Sequence, residues 1–454
     1  MERQQLTQGN VWKRLLQFAF PIMAANLLQA MYGTVDLLMV GLFSDASQVS
    51  AVSTGSMTMQ TIHGIITGLT MGCTVHLGHC IGMQDNHGAT RTVASALALF
   101  LILGAALTAG ITVGSEFLTE IMNAPADAKD GTTDYIRFCG MGILCIVLFN
   151  AISGMLRGVG DSATPFILTA VACGMNILGD LVLVGALSMG SAGAAIATVA
   201  AQGISVAAAV LIICKRGTGF QVFREELHPC RKEICYILRY GLPIAAQEAL
   251  TGVSFMIILA ILNSFGLTAS AGVGVAEKLC GLMFIVPGAM MSAVSTFTAQ
   301  NVGAGHFNRA RQAMYVSMIV SLAIGCVMFV LSFFWGDKLS GLFTSDRDVC
   351  LASADYLRSY AVDCLIIGFN FSMMGYLNGY GKTGFVAVQG ILSTFLVRIP
   401  VSYLMSRTEG TSLFRVGFAT PLATLFAIVI TIVYIRRNIP GEKLSIRLRW
   451  LSRN

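Results

Sequence analysis

Apolar runs of about 20 residues recur from one end of this chain to the other, and nothing else in the sequence constrains its fold as strongly. At 1.5 Å per residue each run is long enough to cross about 30 Å of hydrocarbon as a helix. Only 11% of the 454 residues are charged, where a soluble domain carries about a quarter. The spacing of charged and Gly/Pro-rich breaks predicts spans near 14–42, 50–80, 92–114, 133–156, 163–187, 190–214, 235–263, 268–302, 312–335, 354–377, 384–406 and 413–436. The expected fold is an all-α membrane protein of twelve transmembrane helices. The first run follows Trp12-Lys13-Arg14 and reaches about Phe43, too long for the apolar core of a cleaved signal, so it is expected to remain as the first helix. The 12 cysteines include no C-x-x-C pair and fall mostly inside apolar runs, where they read as small core residues.

The second half repeats the first at an offset of about 221 residues. Phe20-Pro21-Ile22-Met23-Ala24 answers Leu242-Pro243-Ile244-Ala245-Ala246. GMQDNHGA (82–89) answers GAGHFNRA (303–310), and RGVGDS (157–162) answers NGYGKT (378–383). Six helices per half make the halves parallel repeats, an N-terminal lobe over 1–220 and a C-terminal lobe over 221–454, with substrate expected between them. If the N-terminus is placed inside, the inner loops carry about twenty of the 29 Lys and Arg. Both termini are then cytoplasmic. The basic clusters 215–239 and 436–453 adjoin helix ends without interleaved aromatics, which argues against a nucleic-acid partner.

Five acids lie within the apolar spans: Asp36, Asp180, Glu248, Glu277 and Asp363. Each is a functional candidate, because a charge at the bilayer centre costs about 2.5–3.5 kcal/mol. Asp36 and Asp180 fall at matching depth, about 10 Å below the outer surface. Asn176 stands one turn from Asp180, Thr198 enters at the same depth on the next helix, and Tyr135 and Asn150 are placed to join from above and below. Two carboxylates in a poorly solvated pocket cannot both stay charged alone, so a proton is taken up or a cation bound between them. The oxygens of Asp36, Asn176, Asp180 and Thr198 suit Na⁺ as well as H⁺, and the sequence does not choose between them.

In the second half Glu248 answers Asn26, while Asp36 answers apolar Ile258, so the halves differ chemically. Glu248, near mid-membrane, is expected in a substrate cavity with Asn26, Gln247, Met283 and Met290, the thioethers suiting varied apolar guests. Arg398 is a candidate partner for Glu277 or Asp363. Prolines 21, 243, 287, 400 and 421 are expected to interrupt helices, with Pro21 as a hinge on the helix that carries Asp36. Cys73, His76, His79 and Cys80 have metal-ligand spacing, but one helix face cannot close a tetrahedral site. No phosphate-binding glycine loop or Walker lysine is present, so no cofactor is expected and the energy source should be an ion gradient.

These residues resemble the multidrug and toxic-compound extrusion (MATE) family over nearly the whole chain. The likeness rests on Pro21 with Asp36, on RGVGDSATP (157–165), on Asn176 with Asp180 and Thr198, on the two loops quoted above and on GLPIAAQE (241–248). It implies a V-shaped pair of six-helix lobes in the bacterial inner membrane that export organic cations and other drugs by alternating access, as a monomer, against inward H⁺ or Na⁺. The DNA-damage-inducible (DinF-like) branch looks closest, because its cation site corresponds here to Asp36, Tyr135, Asn150, Asn176, Asp180 and Thr198. Two other readings remain. A flippase for lipid-linked precursors would line its cavity with several cationic side chains, and the spans offer Lys278 and Arg398. An intramembrane enzyme would need a nucleophile and a base at one depth, and the sequence gives His63 no evident partner.

Overall fold

The computed structural model describes residues 6–122, 124–217, 219–263, 265–408 and 412–439; the basic stretch 440–453 lies outside them. No strand occurs among the described residues. Eleven helices are long and apolar enough to span a bilayer. They are α1 (Val11–Phe43), α2 (Ala46–Gly82), α3 (Asn86–Val113), α5 (Ala163–Ala186), α6 (Gly190–Arg216), α7 (Arg231–Asn263), α8 (Leu267–Gly303), α9 (Phe307–Ser340), α10 (Arg347–Gly379), α11 (Thr383–Ser406) and α12 (Leu413–Asn438). A twelfth, α4, is the pair Ala126–Met141 and Ile143–Val159, bent by 52° where they meet. The cause of that bend is local: a Cβ on Gly142 would lie 2.0 Å from Val199 Cγ1, so α4 breaks where Val199 of α6 presses into it.

The loop motifs serve as helix starts. Asp85, in GMQDNHGA, accepts the Gly88 N–H at 2.8 Å and opens α3. Asp161, in RGVGDSATP, accepts from Thr164 N at 2.9 Å and Thr164 Oγ1 at 2.6 Å and opens α5. Each satisfies backbone donors that a helix leaves unpaired in its first turn. Ahead of Asp161, Gly160 takes φ +96°, a left-handed conformation that ends α4 at little steric cost.

The expectation about prolines is corrected at two positions. α1 and α7 run as single helices through Pro21 and Pro243. Irregularity does precede the other three: Phe284 interrupts α8 before Pro287, a π-helical turn covers Ser393–Arg398 before Pro400, and α12 breaks at Phe418 before Pro421. A proline ring clashes with the carbonyl four residues earlier, and widening or breaking the turn there relieves it.

Close contacts divide the chain into two compact units. One comprises Gln17–Ala249; the other joins Leu6–Leu16 to the chain from Leu250 onward. In the first, an apolar core built from α2, α3 and α4 includes Leu69, Phe100, Ile136, Ile143 and Phe149. The first half of α7 lies directly on α2 there. A Cβ on Gly72 would meet Ile237 O at 2.3 Å, and one on Gly241 would meet Leu69 O at 2.4 Å, so only glycine permits this backbone approach. In the second unit, Tyr356, Tyr360, Leu279 and Met283 are centred on α8 and α10. The start of α1 is tied to that unit through Arg309, which donates to Gly9 O at 2.7 Å and Leu6 O at 3.2 Å, and Asn301, which donates to Leu6 O at 3.2 Å.

Candidate functional site

The N-terminal unit gathers four of the expected ligands. α5 and α6 approach closely because Gly179 faces Ala197; a Cβ on the glycine would be 2.9 Å from the alanine's. That contact sets Asp180 beside Thr198 at one level. Thr198 Oγ1 donates to Asp36 Oδ2 at 3.1 Å, and Asn176 Nδ2 donates to Thr198 Oγ1 at 3.4 Å. Asp36 also has the carboxyl of Asp180 and the amide of Asn176 as side-chain neighbours. All three are closed off from solvent: Asp36 is 3% exposed, and Asn176 and Asp180 are 0% exposed.

Four oxygens in this pocket receive no hydrogen bond among the described residues: Asp36 Oδ1, Asn176 Oδ1 and both oxygens of Asp180. A buried acceptor left without a partner costs about 1–3 kcal/mol, more for a charged one. A cluster of four acceptors with no donor is the arrangement that a proton or a hard cation satisfies. Apolar residues, Val40, Val52, Cys139, Val184, Ala194 and Ala195, pack together toward the C-terminal ends of α1 and α5 and the start of α6. They keep water from the carboxyls on that side. Tyr135 belongs to this cluster, its ring lying against Gly55. Asn150 is buried, and its amide bonds Ile146 O of its own helix at 2.8 Å.

Directly after Asp180 the helix widens into a π-helical turn, Leu181–Ala186. No proline is present, so the sequence carried no signal for it. Such turns expose backbone carbonyls and recur at functional sites.

The expected cavity residues divide between the two units. Met283 and Met290, 7% and 3% exposed, are interior residues of the C-terminal unit. Met283 accepts from Ser332 Oγ at 3.4 Å and, with Pro287, Ser321 and Cys364, lines a small void. Glu248 is exposed, and Asn26 and Gln247 are half-buried, on the N-terminal unit. There a Cβ on Gly64 would lie 3.7 Å from Glu248 Oε2, with α2 and α7 side by side. His63, without an evident partner in the sequence, bonds Gln29 across α1 and α2 at 2.7 Å. His76, one of the four metal-spaced residues, instead bonds Glu233 of α7 at 2.5 Å and stacks on Tyr236.

In the C-terminal unit Arg398 reaches Glu277 through a phenol: Arg398 Nη2 donates to Tyr360 OH at 2.7 Å, and that hydroxyl donates to Glu277 Oε1 at 3.2 Å. The guanidinium also lies 4.6 Å from the Phe255 ring centre. Asp363 is fully buried, and neither carboxyl oxygen has a hydrogen-bond donor among the described residues.

The sequence pattern of the MatE family matches residues 21–182 and again 243–404. This chain belongs to the MatE family. It is a family of transporters, not of enzymes, and the double match falls on the two repeated halves read from the sequence. The chain is 28% identical to the Probable multidrug resistance protein YpnP of Bacillus subtilis, over 96% of this chain and 97% of that protein. It is 25% identical to the Probable multidrug resistance protein NorM of Thermotoga maritima, over 87% and 85%. Among solved structures, a MOP superfamily transporter from Pyrococcus furiosus superposes with a TM-score of 0.91 at 21% identity, covering 98% of this chain and 99% of that one. That likeness shows the fold of this MatE member.

Proposed function

We propose that this MatE protein is a cation-coupled exporter of drugs and organic cations in the bacterial inner membrane, multi-pass, with both termini cytoplasmic. Residues 1–220 and 221–454 serve as its two lobes, and it works as a monomer by alternating access. Asp36 and Asp180, with Asn176 and Thr198, take up one H⁺ or Na⁺ from outside. Filling the site removes the charge repulsion that holds the two carboxyls apart in energy, and α1 rearranges about Pro21 to release cargo; return of the ion resets the cycle. Tyr135 and Asn150 shape the walls of this chamber.

The carrying observation is the set of four buried, donorless oxygens shared by Asp36, Asn176 and Asp180. The Multidrug export protein MepA of Staphylococcus aureus, 22% identical over 94% of each chain, supports drug-like cargo. At 100 mV one inward charge supplies about 2.3 kcal/mol, enough for roughly fiftyfold accumulation when one charge moves per cycle.

The test is ethidium transport in proteoliposomes under an imposed Na⁺ gradient and, separately, an imposed pH gradient. The native protein should accumulate dye under one of them, and Asp36→Asn and Asp180→Asn should lose that accumulation. Either variant exporting at the native rate refutes the coupling role.

A further inference from the structure

The fifth helix of each half widens into a π-helical turn, Leu181–Ala186 on α5 and Ser393–Arg398 on α11. What stands at the two turns differs in charge. The two family matches, 21–182 and 243–404, lie 222 positions apart at both ends, a register that sets Ile258 opposite Asp36, Arg398 opposite Asn176 and Ser402 opposite Asp180. Two carboxylates and an amide in the first half thus become an alkyl group, a hydroxyl and a guanidinium in the second. All three replacements are buried: Ile258, Arg398 and Ser402 are 3%, 9% and 2% exposed.

A guanidinium keeps its charge at any physiological pH, and a membrane span rarely holds one without an acid to balance it. Glu277 of α8 is that acid. Tyr356 OH and Tyr360 OH donate to Glu277 Oε1 at 3.4 Å and 3.2 Å, and Arg398 Nη2 donates to Tyr360 OH at 2.7 Å. The two phenols stand one turn apart on one face of α10, and both are 1% exposed. The Phe255 ring centre lies 4.6 Å from the guanidinium carbon and shields it further. Lys278 is exposed and leaves α8 about 100° around from Glu277, so it does not compete for this place. Among the described residues, Arg398 is the cation hydrogen-bonded into the Glu277 cradle.

We propose that Arg398 is a resident cation: it supplies to the C-terminal half the positive charge that an exchangeable ion brings to the N-terminal half, and it keeps Glu277 neutralised throughout the cycle. This rests on the coupling reading above and deepens it, because it leaves ion exchange to the first half alone. A tethered cation gives up little freedom when it binds, and it cannot leave. The donorless oxygens of Asp36, Asn176 and Asp180, by contrast, are satisfied only when an ion arrives.

Chemical rescue tests this without any gradient. Arg398→Ala empties the space beside Glu277 and its two phenols, and free guanidinium chloride at about 1–20 mM, too dilute to denature, is the probe. The thermal midpoint of the purified full-length variant in detergent should fall by about 5 °C or more, and guanidinium should restore about half of that loss or more, with a saturating dose dependence. Choline chloride should restore none of it, the native protein should not respond, and adding Glu277→Gln to the variant should remove the response. A midpoint that guanidinium leaves unchanged overturns the proposal, and so does a rescue that survives Glu277→Gln. Should Arg398→Ala not be recovered from membranes, Arg398→Lys and Arg398→Gln decide: the charged lysine should be the more stable, and equal midpoints overturn the proposal. Absent rescue, with ethidium export still lost in Asp36→Asn, overturns this proposal alone. Full rescue alongside an Asp36→Asn that exports at the native rate would instead overturn the coupling reading and leave Arg398 as the cation of the Glu277 cradle.

Discussion

Replacing Gly72 by alanine tests whether the seam between α2 and α7 depends on glycine at the contact. The added methyl would lie 2.3 Å from Ile237 O, 2.5 Å from Gly241 N and 2.8 Å from Gly241 Cα. All three are backbone atoms, so no side-chain rotation relieves the overlap, and α7 must move away by about an ångström to restore contact. Overpacking of this kind costs about 1–3 kcal/mol, and alanine's better helix propensity returns only about 0.5–1 kcal/mol. The expected net loss is about 1–2 kcal/mol, with Glu248, farther along the same helix, carried away from Gly64. Gly174 on α5 is the matched control, since a Cβ there meets nothing within 4 Å. Thermal unfolding of the purified protein in detergent should show Gly72→Ala below native and Gly174→Ala at or above it. Gly72→Ala as stable as Gly174→Ala would refute the reasoning.

Thr198→Val keeps the side-chain shape but removes the donor to Asp36, and the Na⁺ or H⁺ concentration for half-maximal transport should shift about two- to tenfold, measured in proteoliposomes. Glu233, 7% exposed at its side chain, pairs with His76. Glu233→Ala strands that buried partner and should lower stability by about 3 kcal/mol, whereas Glu233→Gln, which can still bond the ring, should lose clearly less; chemical unfolding monitored by circular dichroism separates them. Arg309→Ala removes the donor to the carbonyls of Leu6 and Gly9. Backbone amides near residues 6–10 should then exchange hydrogen faster by mass spectrometry, while those of α5 stay unchanged.

The membrane class, the helices and the internal repeat were legible in the sequence because each is written locally. A span needs about 20 apolar residues, and a helix start needs one side-chain oxygen at the right offset, as at Asp85 and Asp161. The acid positions were legible for the same reason: a carboxylate in an apolar run is conspicuous whatever surrounds it. The family pattern also survives in one dimension, in motifs such as RGVGDSATP.

Which side chains meet was decided by helix rotation and close approach, and these depend on partners far along the chain. Asp36 and Thr198 share a hydrogen bond across 162 positions. The bend of α4 at Gly142 answers Val199, and the π-helical turn after Asp180 has no proline to announce it. His63 looked solitary until α1 brought Gln29 to it. Sequence records the chemistry each residue can offer to a bilayer. Only packing determines which face of a helix offers it, because glycines and branched side chains at the contacts set helix spacing and rotation jointly.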